Sequence, residues 1–150
     1  MLTGNQFRIL HKTSTSIARE NQIVVVEDLG VRNMVKNRKL SKAISDVGWG
    51  MFREFLNYKL DRKGGCLVKI NKFFPSSQVC NNYGTKNPEV KNLSVREWVC
   101  STCKTEHDRD FNASINILKE GIRILPEYLE KKKEGKSKPQ RNFFKKKKVA

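Results

Sequence analysis

At 150 residues the chain is long enough for one modest hydrophobic core. Its 31 lysines and arginines against 15 acids give a net charge of +16, which favours a polyanionic partner, most plainly nucleic acid. No apolar run approaches the roughly 20 residues of a bilayer span, and MLTGNQFRIL at the N-terminus lacks a signal-peptide core, so no membrane partner and a cytoplasmic location are expected. In that compartment the four cysteines are expected as free thiols or metal ligands rather than disulfides.

In chain order, residues 7–20 put Phe7, Leu10, Ser14 and Ile17 on one face and predict an amphipathic helix. Ile23 to Val26 (IVVV) shows no polar alternation and predicts a strand buried on both faces, ending at Glu27 and Asp28. Residues 30–40 read as a basic loop, with Ser41 as the cap of a helix whose apolar stripe is Ile44, Val47, Met51 and Phe55. Lys63-Gly64-Gly65 predicts a turn and Cys66 to Ile70 a second strand, in which Cys66 is a small core residue. A cysteine region over 80–103 follows, then a helix beginning FNASINILKE that Gly121 is expected to end. Residues 131–150 hold ten basic residues and one acid, for +9, and predict a disordered tail. The whole is an α/β pattern with a small late insert.

The insert has a metal-site spacing with one exception. Cys80-x2-Tyr83 is followed by 16 residues and Cys100-x2-Cys103, the frame of a zinc ribbon except that Tyr83 stands where a fourth cysteine belongs. A two-residue gap lets one tight turn aim two sulfurs at one ion, and two such turns complete a tetrahedron. His107 is either a substitute fourth ligand or polar surface, and the cysteines are either metal-bound or simply reduced. Among the acids, Glu27 follows a strand, where α/β active sites assemble, and Asp110 opens a helix, where an acid also serves as a cap.

Taken together, IVVVEDLGVRNM, KLSKAISDVGWGMFREFLNYK, FFPSSQVC and WVCSTCKTEHDRDFNASINIL resemble the C-terminal half of TnpB/OrfB-type proteins. These are accessory transposases of insertion sequences and relatives of type V CRISPR nucleases. The likeness runs over about residues 5–125 with its motifs in order. It implies a partial RNase H-like (RuvC-like) fold over residues 1–125, a zinc-ribbon insert at about 76–106, and a basic tail over 126–150. It also implies that Glu27 is the glutamate of the second catalytic motif and Asp110 the aspartate of the third, with Asp108 the weaker candidate. Cys80, Cys100 and Cys103 match three of the four ribbon cysteines. The implied cofactors are Mg²⁺ at the carboxylates and structural Zn²⁺ at the ribbon; the implied partners are DNA and a guide RNA.

Three departures shape the functional expectation. The aspartate of the family's first motif lies upstream of anything in these 150 residues, Tyr83 replaces a cysteine, and Lys104 replaces a common glycine. Two carboxylates offset two divalent cations poorly, and without the first strand the sheet has an open apolar edge. The expectation is a truncated transposase-like protein that binds nucleic acid and does not cleave by itself. The alternative is a non-enzymatic DNA- or RNA-binding regulator of a full-length element.

Overall fold

The structure, a computed structural model, describes residues 3–28 and 46–135. The expected basic loop, the Ser41 cap with Ile44, and the tail beyond residue 135 lie outside these described residues. The described chain forms two compact units, one from 3–24, 46–67 and 127–135, the other from 25–28 and 68–126.

The first unit is built on two helices, α1 (Gly4–Glu20) and α2 (Asp46–Arg62). A capping box starts α1: Gln6 N–H donates to the Thr3 hydroxyl at 3.3 Å, and Thr3 N–H donates to the Gln6 side chain at 2.9 Å. Small residues on α1, Ser14 and Ala18, are buried, as are Phe55, Leu56 and Leu60 of α2. The Phe55 ring lies 4.1 Å from that of His11 and meets Phe7 edge-on at 5.4 Å. Two lysines of this unit are spent on α1. Lys59 donates to the His11 carbonyl at 2.8 Å and to the Ser14 and Thr15 hydroxyls at 2.7 and 2.8 Å. Lys63 donates to the Ala18 and Arg19 carbonyls, each at 2.7 Å, which places a cation at the negative end of α1.

Strands β1 (Ile23–Glu27) and β2 (Cys66–Ile70) pair as a two-stranded sheet. Cys66 N–H donates to Gln22 O at 2.9 Å and Asp28 N–H to Ile70 O at 3.1 Å, so like ends meet and the pair is parallel. The well-buried strand is β2, with Cys66, Leu67, Val68 and Ile70 all in the core, as expected of Cys66. By contrast β1 is half-buried and Ile23 is 38% exposed, against the expectation of cover on both faces. A run of β-branched residues reports strand preference; cover depends on neighbours, and among the described residues β2 is the only strand paired with β1.

Helix α3 runs from Arg109 to Lys133, through Pro126, and Gly121 does not end it. A Cβ at Gly121 would collide with both methyl groups of Val25, so the glycine lets α3 lie directly against β1. The sequence signal for a stop was a signal for close packing, and residues 126–133 of the expected tail are helical. The ribbon stands ahead of α3: a 3-10 turn (Pro88–Lys91), then β3 (Glu97–Val99) antiparallel to β4 (Glu106–Asp108). Its small core is Cys80, Val90, Trp98 and Cys100. Among the described residues no helix is long and apolar enough to cross a membrane.

Candidate metal centre and carboxylate site

The ribbon repeats one turn twice. Cys80 N–H donates to Thr85 O at 2.9 Å and Cys100 N–H to Thr105 O at 3.0 Å. Gly84 N–H returns to Cys80 O at 2.8 Å and Lys104 N–H to Cys100 O at 3.0 Å. Gly84 and Lys104 both have positive φ, 87° and 59°, a region a glycine enters freely and a lysine only under strain. The turns are joined at their tips, where the Thr85 and Thr102 hydroxyls lie 2.7 Å apart.

This folding brings Cys80, Cys100 and Cys103 together, with all three sulfurs within 4.8 Å of one another. A tetrahedral zinc with Zn–S bonds of about 2.3 Å separates its sulfurs by about 3.8 Å. Cys80 and Cys103 are 3.6 Å apart, close to that spacing, and three thiols are a donor set suited to a soft cation. Burial pushes the Cys80 thiol up, whereas hydrogen bonds from the Thr105 hydroxyl and N–H hold Cys103 down to about 6. His107 is not polar surface: it is 6% exposed, stacks on Trp98 at 4.6 Å, and puts Nε2 3.1 Å from Cys80 Sγ. It remains outside the mutually close trio.

The acids occupy a different part of the same unit. At the end of β1 the Glu27 carboxylate accepts a 2.5 Å hydrogen bond from the Ser76 hydroxyl. The Ser76 carbonyl in turn accepts from Asn116 Nδ2 at 2.8 Å. Asn116 also donates to Val79 O at 2.6 Å, and Asn112 donates to the same carbonyl at 2.8 Å while accepting from Asn81 N–H at 2.9 Å. Asn112 and Asn116, one helical turn apart, thus fasten α3 to the segment carrying Ser76 and Cys80. All three polar residues are buried, and sequence reading passed over them. The signal was available: asparagines at i and i+4 in an otherwise apolar helix face demand partners.

Asp110 sits in the first turn of α3 with its side chain 85% exposed, 3.2 Å from Arg109 Nε. It is not the cap; Asp108 accepts from Phe111 N–H at 2.8 Å and takes that role. Among the described residues Glu27 and Asp110 share no hydrogen-bond partner.

Residues 49–117, from α2 into α3 with the ribbon between, match the protein family described as Cas12f1-like, TNB domain. A Streptomyces pristinaespiralis protein bearing the name of an RNA-guided DNA endonuclease is 49% identical over 121 residues, covering 81% of this chain and 30% of its own length. InsQ of Escherichia coli K12, named likewise, is 29% identical over 131 residues, covering 77% of this chain and 32% of itself. A TnpB-like protein of Methanocaldococcus jannaschii is 26% identical over 122 residues, covering 80% of this chain and 27% of itself. The chain therefore spans less than a third of the length of these curated relatives. In fold it is similar to a chain in the cryo-EM structure of a Cas12f1–sgRNA–target DNA complex, with a TM-score of 0.53 at 18% identity over 73% of this chain and 32% of that one.

Proposed function

The chain belongs to the TnpB/OrfB-type proteins, and from that premise we propose that it is a nucleic-acid-binding, nuclease-derived part of an insertion-sequence transposase that does not cleave DNA by itself. In this reading residues 1–125 follow the RuvC-like form of the RNase H-like fold, with the ribbon inserted at about 76–106. Glu27 and Asp110 are its Mg²⁺-holding carboxylates, and Cys80, Cys100 and Cys103 hold a structural zinc.

One relay supports the carboxylate assignment. Glu27 is bonded to Ser76 and Ser76 to Asn116, while Asp110 precedes Asn116 by six residues of α3, about 9 Å of helix rise. Two Mg²⁺ ions about 4 Å apart, each with an outer oxygen at about 2.1 Å, span about 8 Å, the separation the two carboxylates must bridge. Two carboxylates bring two negative charges to four positive ones, so the second ion is held weakly. The first-motif aspartate that would help matches no residue of this sequence. DNA and a guide RNA are the proposed partners, supported by the +16 charge and by the names of the relatives.

The test is binding and cleavage by the purified chain across a salt series with Mg²⁺ present. Binding that weakens steeply with salt, without cleavage, is the expected result. Mg²⁺-dependent cleavage lost in Glu27→Ala would contradict the non-cleaving part, and absent binding would contradict the rest.

A further inference from the structure

Resting on the zinc assignment above, we propose that the ribbon centre is a three-thiolate site whose fourth coordination position opens to solvent beside Tyr83 and takes a small exogenous thiolate, or water in its absence. The basis is the correspondence between the two turns. Both carry the same pair of backbone hydrogen bonds and a positive-φ residue at the same place, Gly84 and Lys104, so position 83 corresponds to position 103. At 103 the side chain delivers a sulfur 3.6 Å from that of Cys80. At 83 the backbone N–H reaches Cys80 Sγ at 3.4 Å, and the residue is 66% exposed. The phenol has left the station that a fourth ligand occupies.

Among the described residues no histidine or acid joins the three sulfurs. The acids of the ribbon are not in the mutually close group, and neither is His107. A histidine ligand at about 2.05 Å from zinc stands about 3.5 Å from each of three sulfurs. His107 Nε2 contacts Cys80 alone, at 3.1 Å, with Nδ1 facing Asn81 Nδ2 at 3.5 Å. It is placed to donate Nε2–H to the Cys80 thiolate, supporting a ligand rather than being one. Three thiolates and an open position are the arrangement of reactive rather than closed zinc sites, and a soft donor is the ligand such a set prefers.

The experiment uses the full chain loaded with Co²⁺ in place of zinc and titrated with 2-mercaptoethanol. The thiolate-to-cobalt charge-transfer band is expected to grow as a fourth sulfur binds. Tyr83→Cys is expected to show the larger band from the outset, to ignore the added thiol, and to hold zinc at least about tenfold more tightly in chelator competition. Tyr83→Phe should behave as the parent chain. A parent chain that binds cobalt tetrahedrally yet ignores thiol closes its site with a protein donor; the open position is then wrong and the zinc assignment stands. Loss of metal in Tyr83→Phe would make the phenol a ligand and likewise overturn the proposal. Failure of the parent chain to take up either ion overturns both readings.

Discussion

The Ser76 hydroxyl donates a 2.5 Å hydrogen bond to the carboxylate of Glu27, joining the end of β1 to a segment 49 residues later in the chain. Bonds from a neutral donor to a charged acceptor contribute about 1.5–3 kcal/mol, more than the typical neutral pair. Ser76→Ala should therefore lower stability by about 1–2 kcal/mol, and the Ser76→Ala/Glu27→Gln pair should be non-additive by about 1 kcal/mol. Urea unfolding of the four chains measures both quantities. Strict additivity would mean that the bond carries no net free energy.

Gly121 invites a substitution whose ordinary outcome should reverse. In an exposed helix interior, Gly→Ala stabilises by about 1 kcal/mol. Here the added methyl meets Val25, and overpacking of this kind costs about 1–3 kcal/mol. Gly121→Ala is expected to lower the melting temperature, and the double variant Gly121→Ala/Val25→Ala to recover part of the loss. A higher melting temperature for the single variant would show that α3 does not lie against β1.

Asp108 and Asp110 are two residues apart and should answer differently to alanine. Loss of the cap at Asp108 should cost about 1 kcal/mol. Loss of Asp110, whose side chain is 85% exposed beside Arg109, should change stability by no more than about 0.5 kcal/mol. A divalent cation should stabilise the parent and Asp108→Ala chains but not Asp110→Ala. Equal cation responses in all three would separate Asp110 from any metal role.

The residues after Gly135 include seven lysines and arginines. If all seven meet duplex phosphates, ending the chain at Gly135 should reduce the slope of log K against log salt by up to about 6. Lys132, bonded to Asp61, is retained in that shorter chain. An unchanged slope would place binding wholly on the rest of the molecule.

The clustering of the three cysteines was legible in the sequence, because it rests on short-range chemistry. Cys-x2-Cys at 100–103 fixes two sulfurs through one turn, and its partial copy at 80–83 brings in a third. The end of β1 at Glu27 was marked by the abrupt end of an apolar run. What sequence reading missed depends on long-range contacts. Nothing local says that Ser76 will meet Glu27, or that Val25 will press on Gly121, and a helical glycine reads alike as a stop or a close approach. The partners of Asn112 and Asn116, the carbonyls of Val79 and Ser76, lie 33 and 40 residues away, so no local pattern discloses them.

The central claim is that Glu27 and Asp110 serve one divalent-cation site. Titrating Mn²⁺ into isotope-labelled protein and following paramagnetic broadening of backbone amides tests it most directly. The account predicts that amides around Glu27 and Asp110 broaden together along one weak isotherm, that Mg²⁺ reverses the effect, and that Glu27→Gln removes it at both places. Broadening confined to one acid, or persisting around Asp110 in Glu27→Gln, would contradict it.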